Sequence, residues 1–480
     1  MSDAPGSSPA PLRGELRPPG DKSSSHRALL FAGFAEGTST LHGVLRAGDT
    51  QSTIHVLRAL GAVIEERAAP DSGDARDGGV LLVTGRPQPL SPEAALDCGN
   101  AGTLTRLLLG VLAGREGAWE LRGDASLSSR PMGRVVEPLR ALGAEILRAG
   151  DTARDADAAR GANVAHGADE LTPARDAFTL PLSVRGAALH GGTVRVEIPS
   201  AQVKSALLLA GLRADAPLTV QQSTPTRDET ERMLPRFGAR VERRAGEATV
   251  FPGALRAAEV HVPADASAAI FPLLAALLVP GSAISLRDVD LSPRRTGFLR
   301  ALERADANVL VASRRNLADG LPLRSGGTAR TRSAEQVAAG ECGDLIVEAG
   351  PLRGFDIEPA DVPDLIDELP ALTVAACAAE GPSHFAGLAE LRHKESDRLR
   401  EIALLAVELG AEVEASGDAL TIHPRGPLRA PHSVQHDDHR VAMARAVAQY
   451  AVRGCAPASP DSAAISYPRF ADDLAALGAG

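Results

Sequence analysis

Aromatic side chains are scarce: Phe, Tyr and Trp together make up 3% of 480 residues. The cores must therefore be built from Ala, Leu and Val. Cysteine is scarce too. Cys98, Cys342, Cys377 and Cys455 stand far apart with no CxxC pair, which argues against a disulfide scaffold or a zinc site and fits a reducing cytoplasm. Long apolar runs are missing. The longest, 266–278, contains Pro272 and stops at Pro280-Gly281. It is too short and broken to cross a bilayer and reads as a buried helix. Positive charge is in deficit: a net charge of −10 argues against broad binding to a nucleic-acid backbone. Residues 1–19 carry no apolar core and read as a flexible tail rather than a signal peptide. What is present is ordinary for a globular chain, 44% apolar and 23% charged, which rules out wholesale disorder. The length predicts about three domain units, or two large ones.

An internal repeat stands out before any motif does. Leu57-Arg58-Ala59-Leu60-Gly61-Ala62-Val63-Ile64 returns as Leu139-Arg140-Ala141-Leu142-Gly143-Ala144-Glu145-Ile146. It returns again as Leu234-Pro235-Arg236-Phe237-Gly238-Ala239-Arg240-Val241 and as Glu408-Leu409-Gly410-Ala411-Glu412-Val413. A weaker copy, Leu302 to Val309, places Asp306 where the others have Gly. Each copy predicts a helix that ends on a left-handed residue and turns at once into a short strand. Asp tolerates that conformation better than most residues. Repeated helix-then-strand units over the whole length predict an α/β protein of similar subdomains. A Rossmann sheet fits less well, since neither Gly-x-Gly-x-x-Gly after a strand nor a Walker loop occurs. Residues 148–175 and 316–340 lack apolar periodicity and read as surface loops.

Seven polar stretches punctuate this scaffold. Pro19-Gly20-Asp21-Lys22-Ser23-Ser24-Ser25-His26-Arg27 precedes an apolar run. It places Lys22, Ser23 and Arg27 at a loop-to-helix junction, where free N–H groups and the helix dipole favour an anion such as phosphate. A capped helix with basic residues in water is the plainer reading. In Asp97-Cys98-Gly99-Asn100-Ala101-Gly102-Thr103-Leu104-Thr105-Arg106, small residues let the backbone approach a ligand, or they merely close a subdomain. Arg130, in Ser129-Arg130-Pro131, is biased to extended geometry by the proline. In Pro199-Ser200-Ala201-Gln202-Val203-Lys204, Ser200 reads as an N-cap with Gln202 in the first turn, and Arg227 adds a cation in a later turn. Asp364-Leu365-Ile366-Asp367-Glu368-Leu369-Pro370 heads an apolar helix and supplies either a cap or a general base. Lys394 and Glu395 are adjacent in Arg392-His393-Lys394-Glu395-Ser396-Asp397-Arg398. They form a solvated charge run or share a site in which each perturbs the other. His436-Asp437-Asp438-His439-Arg440 invites a metal reading, but four consecutive side chains at a helix head diverge, so no metal is expected.

In this order, from Pro19 to about Phe470, the motifs resemble those of the enolpyruvyl transferase family. Gly99-Asn100-Ala101-Gly102-Thr103 and Lys394-Glu395-Ser396-Asp397-Arg398 are the most specific. Within the family the likeness is to the branch that moves the enolpyruvyl group of phosphoenolpyruvate onto the 5-hydroxyl of shikimate 3-phosphate. That reaction releases phosphate on the route to chorismate and the aromatic amino acids. The sister branch, acting on UDP-N-acetylglucosamine, typically has Lys-Asn where this chain has Lys22-Ser23, and a reactive loop Cys with no equivalent here. The resemblance implies two similar α/β domains, each of three βαβαββ-type units in an inside-out α/β barrel. The first would span 21–262 and the second 1–20 plus 263–480, with the active site in the cleft between them.

The resemblance also assigns roles. Lys22, Ser23, Arg27, Ser200, Gln202, Arg227, Asp367 and Lys394 match residues that bind shikimate 3-phosphate. Lys22, Gly102, Arg130, Gln202, Arg398 and Arg440 match the phosphoenolpyruvate side. Asp367 matches the proton acceptor, and Glu395 or Lys22 would protonate the enol's methylene carbon. Neither metal nor organic cofactor is implied, and a cytoplasmic monomer without nucleic-acid or membrane partners is expected. Three departures stand out. Ala201 replaces a second Ser, and Ile465 replaces a Lys used by some members. The acidic motif reads Ile-Asp-Glu-Leu-Pro rather than Pro-Asp-x-x-Met, which favours Asp367 over Asp364 as the base. Gly102 leaves room for the inhibitor glyphosate, while Ala201 and that motif resemble the less sensitive branch. A non-catalytic phosphoanion-binding descendant is the reading from another class, and retention of Asp367, Lys394 and Glu395 speaks against it.

Overall fold

The computed structural model describes residues 9–68, 79–148, 178–292, 294–313, 342–454 and 459–479. The chain forms two units: Lys22–Val262, the first unit, and Met1–Asp21 with Pro263–Gly480, the second. Each has its own hydrophobic core. Among the described residues, six helices of ten or more residues are buried along most of their length. We number these α1–α6. The first unit holds α1 (Lys22–Gly33), α2 (Gly102–Ala113) and α3 (Ala201–Gly211). The second holds α4 (Ala266–Leu278), α5 (Leu369–Ala378) and α6 (His439–Arg453). Ala, Leu and Val fill them, as the shortage of aromatics requires. The apolar run with Pro272 is α4, and no helix among the described residues is long and apolar enough to cross a membrane.

Among the described residues, five four-stranded sheets with one wiring lie around these helices. Thr38–His42 pairs antiparallel with Val80–Thr84, which pairs antiparallel with Val63–Arg67. A further strand adds to the free edge in parallel, here Glu259–His261. The sheets built on Ala118–Arg122, Leu218–Gln222, Ala283–Asp290 and Ser383–Phe385 repeat this plan. Helices inside and one-sided sheets outside make the inside-out enolpyruvyl transferase fold. The third repeat of the second unit keeps its helix, α6, without a four-stranded sheet among the described residues. Pro424, Pro427 and Pro431 crowd the segment before it, and proline cannot donate to a strand ladder.

The repeat signature holds at each copy. Gly61, Gly143, Gly238 and Gly410 have φ of 95°, 103°, 80° and 95°, and Asp306 has φ 55°. Every one sits between a helical segment and a strand.

Part of the expected flexible tail is a strand instead. Arg13–Leu16 pairs in parallel with Ala283–Leu286, and Leu12 and Leu16 are buried in the second unit's core. In chain order this strand precedes α1 and should pair with Thr38–His42, yet Glu259–His261 takes that edge. The two strands are exchanged where the chain passes between units. Of the expected loops, Arg148 ends the strand Glu145–Arg148, while 149–175 and 316–340 lie outside the described residues.

Candidate active site

Lys22, Gly102, Ser200, Gln202 and Arg440 lie at the starts of the buried helices, whereas Arg130, Arg227, Lys394 and Glu395 lie outside them. In the first unit, Lys22 opens α1, and its Nζ lies 3.3 Å from Asp49 Oδ2. Ser23 is half-buried, and its carbonyl accepts a hydrogen bond from Arg27 Nη1 at 3.0 Å. Arg27 is buried and is tied to α3 and the following turn by bonds to Ser205 Oγ (3.0 Å) and Thr230 Oγ1 (2.7 Å). Burial lowers its pKa, partly offset by Glu229 and Glu231, with Arg227 among the cations that lower it further. Beside it, burial drives the His26 imidazole down to about 4, so it stays neutral at pH 7 with Nδ1 2.7 Å from Thr53 Oγ1.

The starts of α2 and α3 are joined by Gln202. Its Oε1 accepts from Arg106 Nη1 at 2.9 Å, and its Nε2 donates to Thr103 Oγ1 at 2.9 Å. Ser200 caps α3 by accepting from Val203 N, as its position predicts. Gly102 opens α2 with two guanidinium groups over it. A Cβ built there would lie 3.0 Å from Arg106 Nη1 and 3.4 Å from Arg130 Nη1. Arg130 donates to Asn100 Oδ1 at 2.5 Å and to Ser126 Oγ at 3.1 Å, and Asn100 donates to Asp124. This face thus brings Lys22, Arg106 and Arg130 to positive helix ends, an arrangement that suits phosphate or carboxylate.

The second unit carries the acids. Arg398, fully buried, donates from Nε to Asp438 Oδ2 (2.7 Å), from Nη1 to Asp367 Oδ1 (3.1 Å) and from Nη2 to Glu395 Oε2 (2.6 Å). Lys394 Nζ lies 3.3 Å from the same Asp367 oxygen. Burial alone would lower the Arg398 pKa; Glu395, Asp438 and Asp367 more than offset it, and the net shift is upward. Asp438 caps α6 through Arg440 N and accepts from Ser396 Oγ. Burial would raise its carboxyl, but Arg398 wins and holds it below the ordinary range. Arg440 Nη1 donates to Ser267 O at 2.7 Å, linking the starts of α6 and α4. Asp367 precedes α5 without capping it. Asp364 is taken up by Arg294 and Arg300, each at 2.9 Å, which leaves Asp367 as the carboxylate beside Lys394. In the His436–His439 run, Asp438 holds Arg398 and His436 Nε2 lies 3.1 Å from Glu401. Buried Cys98 and Cys377 are pushed up to about 12 by desolvation and are poor nucleophiles.

A family model described as EPSP synthase (3-phosphoshikimate 1-carboxyvinyltransferase) matches residues 7–164 and 170–474. The chain belongs to the EPSP synthase family. It is 43% identical over 474 residues to the 3-phosphoshikimate 1-carboxyvinyltransferase of Synechococcus sp. strain WH7803, covering 97% of this chain and 96% of that one. The enzyme of the same name from a strain of Thermus thermophilus is 42% identical over 474 residues, with 97% of each chain covered. Among solved structures, EPSP synthase from Acinetobacter baumannii superposes with a TM-score of 0.75 at 31% identity, over 99% of this chain and 97% of that one. The enolpyruvyl transferase NikO from Streptomyces tendae shares the fold, with a TM-score of 0.63 at 16% identity over 98% of this chain and 96% of that one.

Sequence reasoning missed the residues that hold this family member's cations in place. Asp49 faces Lys22, Asn100 orients Arg130, and Asp438 fixes Arg398. Arg295, buried, pairs with Asp21 and Asp265 at the start of α4. Asp438 and Asp265 each stand just before an apolar helix, a place that marks a cap, and Asn100 lies within the Gly99-Asn100-Ala101-Gly102-Thr103 motif; Asp49 carries no such local signature.

Proposed function

We propose that this chain transfers the enolpyruvyl group of phosphoenolpyruvate to the 5-hydroxyl of shikimate 3-phosphate and releases phosphate. Family membership over nearly the full chain supports the reaction class. The single observation that carries the assignment of chemistry is Asp367 held beside Lys394 and Arg398, a carboxylate in place to serve as proton acceptor.

Both substrates are phosphomonoesters with a carboxylate. Bringing them together requires cations to offset their mutual repulsion. In this reading the cations named below serve one substrate pair. Lys22, Ser23, Ser200, Gln202, Arg227 and Lys394 hold shikimate 3-phosphate, with Arg27 lending charge from beneath. Gly102, Arg130, Arg398 and Arg440 hold phosphoenolpyruvate, which Lys22 and Gln202 also reach. Asp367 accepts the 5-hydroxyl proton as its oxygen bonds to the enol carbon, while Glu395 or Lys22 delivers a proton to the methylene. Asp367 passes that first proton to the phosphate oxygen; loss of a methyl proton to the freed Asp367 then expels the protonated phosphate and restores the double bond, and Asp367 returns this second proton to the acid that served the methylene. Each such proton transfer contributes on the order of 10²–10⁴ in rate.

Phosphate release measured with phosphoenolpyruvate and each acceptor in turn tests the reading. Release with shikimate 3-phosphate and none with UDP-N-acetylglucosamine is expected. The reverse pattern would assign the chain to the sister reaction, and no release with either would leave a phosphoanion-binding protein. Glyphosate added to the active pair is expected to inhibit, weakly if Ala201 marks the less sensitive branch.

A further inference from the structure

One cluster lies outside the proposed chemistry, on the solvent face of the sheet where the two strands are exchanged. His42 and His261 are register partners on adjacent parallel strands, and Glu259 follows the same alternation two residues before His261. All three side chains therefore point to one face, opposite the buried Leu41 and Val260. The imidazole rings are stacked, with centroids 4.2 Å apart and planes 3° from parallel. Glu259 Oε1 lies 2.9 Å from His42 Nε2 and 3.7 Å from His261 Nε2. One ligand atom from each residue falls within 4.8 Å of the other two, and among the described residues no other group of His, Cys, Asp and Glu converges in this way.

We propose that His42, Glu259 and His261 form a surface site for a divalent transition metal of the zinc class. Two imidazole nitrogens and one carboxylate oxygen are a donor set that zinc takes readily, with solvent in the fourth position. Ligands about 2.0–2.1 Å from one ion must sit closer together than these atoms do now. His42 is half-buried while Glu259 and His261 are exposed, so side-chain rotation closes the gap without moving the strands. Val262 N donates to His42 O, and the chain leaves the first unit after Val262. The ion would clamp the edge strand one residue before that crossing.

Titration of the full chain with ZnCl2 in a calorimeter tests this, with His42→Ala, His261→Ala and Glu259→Gln measured alongside and their fold checked by circular dichroism. One saturable equivalent is expected in the parent. Each variant should bind at least about tenfold more weakly, since loss of even an outer-sphere partner costs that much. Slower amide exchange at Val260 and Val262 in the presence of zinc is the second expected readout. An absence of saturable binding in the parent, or binding unchanged in the doubly substituted His42→Ala/His261→Ala chain, would overturn the site. An ion held by buried or distant thiols would give the latter result.

Discussion

Replacing Asp438 by Ala removes the buried acceptor of two Arg398 hydrogen bonds. Both side chains are essentially without solvent contact, and the carboxylate takes Arg398 Nε at 2.7 Å, Ser396 Oγ at 3.0 Å and Arg440 N at 3.0 Å. Stripping a partner from a buried ion pair costs about 3–5 kcal/mol. Glu395 and Asp367 still engage Arg398, which places the loss near the lower end, about 3 kcal/mol. Loss of the α6 cap adds about 1 kcal/mol. A total of about 4 kcal/mol corresponds to a fall in Tm of roughly 8–16 °C for a unit of this size. Differential scanning calorimetry measures it. Asp438→Asn keeps the shape and the capping oxygen and should recover about 1 kcal/mol of the deficit. The acid limb offers a control. The Asp438 pKa is lowered in the folded state, so its contribution is present above about pH 4 and is lost as pH falls through the native value. Parent and variant should therefore converge in acid. A Tm for Asp438→Ala within about 2 °C of the parent at pH 7, at most about 1 kcal/mol on the same scale, would show that Arg398 does not rely on Asp438.

Three further outcomes follow from the site. Asp367→Asn should lower kcat on the order of 10²–10⁴ while leaving phosphoenolpyruvate binding within a few-fold, measured by single-turnover rapid quench; a near-normal kcat would remove Asp367 as the base. Gly102→Ala pushes a methyl against the Arg106 and Arg130 guanidinium groups. Because those are ends of flexible side chains, the KM for phosphoenolpyruvate should rise, on the order of tenfold for ~1.4 kcal/mol of lost contact, with Tm unchanged. His26 is buried neutral with its pKa lowered to about 4. The unfolded chain binds its proton first, so stability falls as pH drops from about 6.5 towards 4, by on the order of 2 kcal/mol between pH 7 and 5. Urea midpoints at the two pH values should show this fall, and His26→Gln should flatten it; an equal slope in the variant would assign the acid sensitivity elsewhere.

Much of the fold was legible because it is local. A left-handed residue between a helix and a strand needs Gly, or Asp at a cost, and five copies of that signature marked the repeats. Apolar runs such as 266–278 announced the buried helices. Lys22, Gly102, Ser200, Gln202 and Arg440 were legible as motifs because they sit at helix starts, where capping and anion binding use the same exposed N–H groups. What could not be read is long-range. The strand Arg13–Leu16 shows three exposed residues and one buried one, too little pattern to distinguish it from a tail. Its partner lies about 270 residues away. The carboxylates that fix the cations are likewise distant in sequence: Asp49 is 27 residues from Lys22, and Asp438 is 40 from Arg398.

In the proposed function Lys22 and Lys394 both contact shikimate 3-phosphate. Calorimetric binding of shikimate 3-phosphate to Lys22→Met, to Lys394→Met and to the doubly substituted chain tests it most directly. Each Lys contributes a charge-assisted contact of about 1.5–3 kcal/mol, so either substitution alone should weaken binding by about 10- to 150-fold, with the double variant weaker still. Full affinity in either single variant would mean that the two lysines serve different ligands, contrary to the proposed function.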